Sequence, residues 1–387
     1  MLSHILPPSP SGQAVMIYRL LEKIPKERYC LISREDYSST SLGGTSKLSG
    51  KYYQIKTVSH PEKVLSSPLL YIIEPFKVIW DVFSRTYQII KILKKEKVKT
   101  LITCTGGIGD LISGYLAAKL YHLTLAIYVF DDPIYQQTGF FHPLVKVIEE
   151  GILKSADKII APNEFLEKEY FRRYKFHSFV IHNPTFLPDL SELDKKKTVF
   201  SQSKINIVFT GAVYLAHFDA FRNLVKAINL LKKEKVLLHI FTADAPKTLK
   251  KEGIGGKNVL FHSHINQAEV AVVQRKADIL FLPLAFRSPI PEIIRTSAPG
   301  KIGDYMAVGR PILIHAPEDS FVSWYFRKHN CGVVVSEEKP KMLAHAILEI
   351  TKDRKLSQTL ENNALKQARK DFSVEKMRKK FLEFLNK

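Results

Sequence analysis

Short apolar runs of strand length punctuate the chain from residue 101 onward. They are 101–104 (LITC), 123–130 (LTLAIYVF), 158–161 (KIIA), 179–182 (FVIH), 205–210 (INIVFT), 236–242 (VLLHIFT), 259–262 (VLFH), 279–283 (ILFLP), 311–314 (PILI) and 332–335 (GVVV). Most are continuous rather than alternating, the pattern of strands buried on both faces. Helix-period segments such as 218–232 and 267–276 lie between many of them. This alternation predicts parallel sheets covered by helices. A polar stretch with two prolines and a lysine run, 183–203, separates two of the strand runs and predicts a domain boundary. The expected architecture is α/β, with Rossmann-like parallel-sheet domains at 1–185 and 200–365. A terminal helix within 366–387 is expected to return to the amino-terminal domain. Open sheets of this kind bind ligands at the carboxyl ends of their strands, so a cleft between facing domains is the expected site.

Composition narrows the functional classes. Of 387 residues, 45% are hydrophobic, enough for two cores. No apolar run is long enough to predict a membrane-spanning helix, and the start MLSHILPPSPSG lacks the features of a signal peptide. Cys30, Cys104 and Cys331 are far apart and have no CxxC spacing, which argues against a zinc site or disulfide framework and suits a reducing cytoplasm. The net charge of +20 leaves three partners open: nucleic acid, an anionic membrane surface, or a phosphate-bearing substrate. A solvated basic surface accounts for it equally well.

The most informative stretch is 297–313, SAPGKIGDYMAVGRPIL. Ser297 and Pro299 precede a predicted helix from Lys301 to about Val308, Gly309 stops it, and Pro311 opens a strand. A helix start favours phosphate, and Lys301 in its first turn adds a cation. Asp304 lies three residues on and shares that face. A cation for a diphosphate and a carboxylate for a ribose diol suit a nucleotide; a plain Asp–Lys surface pair is the alternative.

This stretch resembles the carboxyl-terminal motif of GT-B glycosyltransferases, especially the retaining enzymes of family 4. Ser297, Pro299, Lys301, Asp304, Tyr305, Met306, Ala307, Gly309 and Pro311 carry the match. The runs KADILFLPL, HNCGVVVSEEKPKMLAHAILEI and SADKIIAPNEFLEKEYFRRY…FVIHNP are similar to further family passages. The resemblance is good over the carboxyl half and loose over the amino half. It implies a GT-B fold, two Rossmann-like domains facing across a cleft. It also implies a nucleotide-sugar held mainly by the carboxyl-terminal domain, with Lys301 on the diphosphate and Asp304, shorter than the family's usual Glu, on the ribose. Amides near Ser297, Ala298 and Gly300 would assist. The family's second acid, upstream of Lys301, is absent here.

Further residues follow from the same resemblance. Gly211 ends a strand in INIVFTGAVYLAHF, where the family's basic pair is missing; His217 and Arg222 stand nearby, and Arg287 with Lys301 would neutralise phosphate. FHSHI, with His262 and His264 two apart and on one face if in a strand, falls where the family contacts the base. In the amino half, Gly12 lies where the family has a glycine loop near sugar and acceptor, with a helix start capped by Ser11 as the plain reading. TCTGGIGD places Gly106, Gly107 and Asp110 between a strand and a helix; its spacing is not GxGxxG, and a loop at the cleft is the better reading. Asp131 and Asp132 in FDDP occupy the family's sugar-contacting position, as base or as hydrogen-bond acceptor, or form a turn and helix cap; His142 and Glu149 are weaker alternatives. Finally, 75–99 (PFKVIWDVFSRTYQIIKILKKEKVK) has helical apolar spacing and a lysine-rich end, fitting either an interior helix or one lying on an anionic membrane.

The expectation is a glycosyltransferase, with retention, in bacterial surface polysaccharide or glycolipid synthesis. It needs no cofactor and no metal, the nucleotide-sugar being a co-substrate. Its acceptor is a carbohydrate or a lipid-linked group. Its place is the cytoplasm, at the inner face of the membrane, with no nucleic-acid partner. A GT-B-shaped epimerase or hydrolase and a non-enzymatic basic binding protein are the alternatives.

Overall fold

The computed structural model describes all residues except 38–45, 58–67, 133–141, 198–199 and 387, and also leaves undescribed the side chains of 68–75, 142–145 and 267–268. The chain forms two compact units, Met1–Ile181 with Phe381–Lys387, and His182–Lys380.

In the amino-terminal unit, β1 (Cys30–Ser33) pairs in parallel with β2 (Lys51–Gln54). β3 (Thr100–Cys104), β4 (Thr124–Tyr128), β5 (Lys158–Ala161) and β6 (Phe179–Val180) pair in that order, also parallel. The first residues of the chain join the two sets. Leu2 N donates to Ile102 O (2.8 Å) and Cys104 N to Leu2 O (2.9 Å), while Ile32 N donates to Met1 O (2.9 Å). The sheet therefore runs outward from Met1–Ser3 in both directions, the doubly wound order whose reversal marks a ligand-binding point. Sequence patterning passed over these first strands. Met1–Ser3 is too short to show a period, and β2 is half-exposed and polar at both ends. The core of this unit gathers Leu101, Leu125, Ile127, Ile159, Leu166 and Tyr170. The last helix, Val374–Asn386, ends in this unit, where Phe384 O accepts from Lys158 Nζ (3.2 Å).

In the second unit, β7 (Ile205–Thr210), β8 (Val236–Phe241), β9 (Val259–His262), β10 (Ile279–Pro283), β11 (Ile312–His315) and β12 (Val333–Val335) form one parallel sheet. Its order is β12-β11-β10-β7-β8-β9, so the reversal lies between β7 and β10. The continuous apolar runs are explained: both faces are covered. On one face Phe209, Phe221 and Phe281 interlock edge to face, with centroids 5.0 and 5.3 Å apart. Each fully buried aromatic contributes about 1.5–3 kcal/mol. The second unit starts at His182, just before the stretch 183–203 that patterning reads as a domain boundary. Thr185 N donates to Phe372 O (2.7 Å) and Val374 N donates to Thr185 O (2.9 Å). The unit thus extends to Lys380, beyond the expected end at 365.

Candidate functional site

In the second unit the loop at the sheet reversal is built around Gly211. β7 ends at Thr210, and Gly211 turns away with φ +113°, a conformation glycine adopts without steric cost. Its N–H donates to Phe241 O (2.8 Å). Asp244 Oδ2 accepts from Val213 N (2.7 Å) and from the Thr242 hydroxyl (2.6 Å), which pins the rest of the loop.

Lys301 opens the helix Lys301–Ala307 and reaches back to this loop. Its Nζ lies 4.9 Å from the Phe209 ring centroid and against Gly211. Loss of water lowers its ammonium to about 8, while the Asp304 charge works in the opposite direction. Among the described residues it makes no hydrogen bond and no ion pair. His217, buried at the entry to the helix Phe218–Leu230, packs on Tyr214 and Phe209. Burial, then the Lys301 charge, hold its imidazole down at about 3. It is therefore neutral, and its Nδ1 has no hydrogen-bond partner among the described residues.

Asp304 sits one turn inside the helix. Its Oδ1 accepts from the Thr185 hydroxyl, so the segment before the sheet orients the carboxylate. Gly303 leaves the space: a Cβ there would meet Thr185 Cβ at 3.0 Å. Tyr305, fully buried, accepts from Thr210 N (3.2 Å), and Gln274 donates to the Thr210 hydroxyl (2.9 Å). These bonds tie the helix to the end of β7. Asn183 Nδ2 donates to Ala298 O (2.7 Å) and fixes the SAPG approach, in which Ser297 is half-buried and ends the helix Pro291–Thr296. Gly309 follows the helix with φ +59°.

Gly211, His217 and Lys301 thus come together, with Asp304 one helical turn away. Two expected partners stand apart. Arg287 is exposed and pairs with Glu338 (3.3 Å); only its backbone N–H is bound inward, to Asp219 Oδ2 (2.8 Å). His264 is exposed in the loop after β9. The strand ends at His262, so His262 and His264 do not share a strand face. His262 instead stacks on Phe241 (4.2 Å) and bonds His239 Nδ1 (3.0 Å), while His239 Nε2 reaches Asn206 Oδ1 (3.2 Å). Arg222 binds Glu252 O (3.2 Å). Thr185, Gln274 and Phe209 were not singled out from sequence, because their roles come from other segments of the fold.

In the amino-terminal unit the two acids of FDDP part company. Asp132 is buried and ion-paired with Arg173, which also meets Glu169 (3.2 Å). Asp131 is exposed, and its carbonyl accepts from the Thr105 hydroxyl (3.2 Å). Glu149 is fully buried, and the His142 side chain lies outside the described residues. Gly106 (φ +130°) lies under the His4 ring, where a Cβ would come within 2.1 Å. Gly107 precedes the helix Ile108–Leu120, whose buried Asp110 pairs with Arg34 (3.1 Å) and Arg85 (2.9 Å). Gly12 begins the helix Gly12–Leu21, capped by the Ser11 hydroxyl, which accepts from Ala14 N (3.2 Å), and faces open space. Among the described residues no group of three or more His, Cys, Asp or Glu is able to hold a metal ion.

Two parallel, doubly wound sheets, one carrying this lysine–aspartate helix at its reversal, define the GT-B class. The chain superposes along its whole length on sucrose-phosphate synthase from Thermosynechococcus elongatus (TM-score 0.70, 16% identity, 100% of this chain and 97% of that one). It is similarly close to a glycosyltransferase from Rickettsia africae (TM-score 0.68, 15% identity, 99% and 96%). HepE from Anabaena, solved with UDP and glucose, gives TM-score 0.68 at 14% identity, covering 100% and 98%. No curated protein matches by sequence. Residues 204–353 match the family Glycosyl transferases group 1, and the second unit carries a glycosyltransferase domain of that group.

Proposed function

We propose that the protein transfers a sugar from a nucleotide-diphosphate sugar to an acceptor hydroxyl. The observation that carries this is the Lys301 ammonium, partly withdrawn from water, unpaired among the described residues, and held against Gly211 at the end of β7. Such a cation offers a diphosphate the positive counter-charge that the loop after Gly211, without Lys or Arg, does not supply. Asp304, oriented by Thr185, accepts from the ribose hydroxyls. His217, kept neutral, offers a ring nitrogen without adding charge.

In this reading the transfer proceeds with retention. The bond from the sugar C1 to the donor phosphate oxygen breaks, a bond to the acceptor oxygen forms on the same face, and the released phosphate takes the acceptor proton. Asp131 contacts the sugar. No metal takes part, because Lys301 fills the neutralising role. The acceptor is a carbohydrate or a lipid-linked group, the pathway bacterial surface polysaccharide or glycolipid synthesis, and the place the inner face of the cytoplasmic membrane. Structural likeness to WaaG, a glycosyltransferase involved in lipopolysaccharide biosynthesis (TM-score 0.64, 13% identity), supports that setting. HepE in complex with UDP-glucose makes UDP-sugars the first donors to try.

The test is thermal shift with the UDP, GDP, ADP and CMP series, without metal. A ligand at about a hundred times its Kd adds about 2.7 kcal/mol of stability, so one diphosphate should raise the midpoint clearly. No shift with any member removes the donor site. Release of free sugar or an epimer without acceptor would redirect the reading to a hydrolase or epimerase.

A further inference from the structure

The helix Pro68–Lys95 has two different faces. Asp81, Arg85, Ile89 and Leu93, each one turn apart, are buried. They form the side that packs on the helix Ile108–Leu120, where Arg85 meets Asp110 (2.9 Å). The other side carries Phe76, Ile79, Trp80, Phe83 and Tyr87, exposed by 69, 53, 69, 61 and 60%. Spacings of three and four place them on one stripe. Large contiguous apolar surfaces are rare on soluble proteins and mark interaction sites.

The same stripe continues into Lys91 and Lys94, both exposed. Lys91 Nζ lies 4.5 Å over the Tyr87 ring. Of the acids along this helix and at its end whose side chains are described, Asp81 is on the buried side and Glu96 binds Lys51 (2.9 Å). An apolar aromatic stripe ending in lysines matches the layering of a lipid interface, where rings enter the acyl boundary and ammonium groups meet phosphates. The net charge of +20 favours an anionic surface over a second copy of this chain, which it repels. Among the described residues no helix is long and apolar enough to cross a membrane.

We propose that Phe76, Ile79, Trp80, Phe83 and Tyr87, with Lys91 and Lys94, dock the protein on an anionic lipid bilayer. This takes its setting from the membrane-face part of the functional reading. Vesicle binding and nucleotide binding are measured separately, so either fails without the other.

The experiment is cosedimentation of the full chain with phosphatidylcholine vesicles and with vesicles that also contain phosphatidylglycerol. Binding is expected to the anionic vesicles, weakly to the neutral ones, and to decline with salt. The pair Trp80→Glu and Phe83→Glu should lower partitioning by roughly tenfold or more. Lys91→Glu with Lys94→Glu should reduce binding to anionic vesicles most. All four positions are exposed, so near-ultraviolet circular dichroism should stay native. Absence of binding to anionic vesicles, or undiminished binding by the Trp80 and Phe83 variant, overturns the proposal. A dimer in sedimentation velocity that this variant dissolves also overturns it, by assigning the stripe to a second copy.

Discussion

Lys301 fills the space that a side chain on Gly211 would take: a Cβ there would lie 2.9 Å from Lys301 Cε and 3.1 Å from Nζ. The glycine therefore serves the lysine as well as the turn. Gly211→Ala should displace the ammonium and strain a backbone at φ +113°, a conformation that costs about 1–3 kcal/mol outside glycine. The expected result is a modest fall in melting temperature with a loss of diphosphate affinity of about tenfold or more in titration calorimetry. Unchanged affinity would separate Gly211 from the site.

Lys301→Ala should leave the fold intact and weaken diphosphate binding by about ten- to a hundredfold, the worth of a charge-assisted contact. The free ammonium titrates at about 8, below its ordinary 10.5. Diphosphate affinity should thus fall as pH rises through about 8, where the unliganded site loses its cation. Stability of the free protein should move the other way. The unfolded chain holds the proton up to 10.5 and the folded one only to about 8, so stability rises between those values. Affinity that is flat across this window would contradict a charged Lys301 as the phosphate partner.

Thr185→Val removes the hydroxyl that donates to Asp304 Oδ1 while preserving shape. It should raise KM for the sugar donor several-fold with little change in kcat, because it disturbs ground-state and transition-state binding alike. Asp304→Asn should raise KM further. An effect of Thr185→Val on kcat alone would assign the pair to chemistry rather than to holding the ribose.

The adjacent acids Asp131 and Asp132 should behave differently. Asp132→Asn breaks a buried pair with Arg173 and should cost about 3–5 kcal/mol of stability. Asp131→Asn, at an exposed position, should leave stability within about 0.5 kcal/mol and lower turnover by about tenfold through the weakened contact with the sugar. Chemical denaturation and initial rates measured on both variants decide the assignment. Equal turnover in Asp131→Asn and the unaltered protein removes Asp131 from the reaction.

Acid should destabilise the second unit through its buried histidines. His217 is held at about 3 and His239 at about 4, against an ordinary 6.5, in both cases mainly by burial. The unfolded chain therefore binds protons below 6.5 that the folded one refuses, and stability falls as pH drops from 6.5 toward 4. His239→Gln should flatten that slope in denaturation series at several pH values. An unaltered slope would mean that His239 is not buried neutral.

The pattern of apolar runs determined by itself that the chain folds as alternating strands and helices in parallel sheets. Val208, Phe209, Leu280 and Phe281 lie in unbroken runs because both faces of their strands are covered, and burial on both faces leaves a signature in composition alone. Lys301 and Asp304 were legible for a similar local reason: one helix start spaces them three residues apart. What joined their helix to Gly211, Thr210 and Thr185 was not local. Those contacts span from 90 to more than 100 residues and arise where β7 meets β10, a pairing that no periodicity encodes. The same holds for Met1–Ser3, which is a strand only because two neighbours supply its hydrogen bonds. Tertiary structure also separated Asp131 from Asp132, and drew Arg287 out to Glu338. Residue type told what each side chain is able to do. Burial and the partner that the fold brings within about 3 Å decided which of them are left to do it.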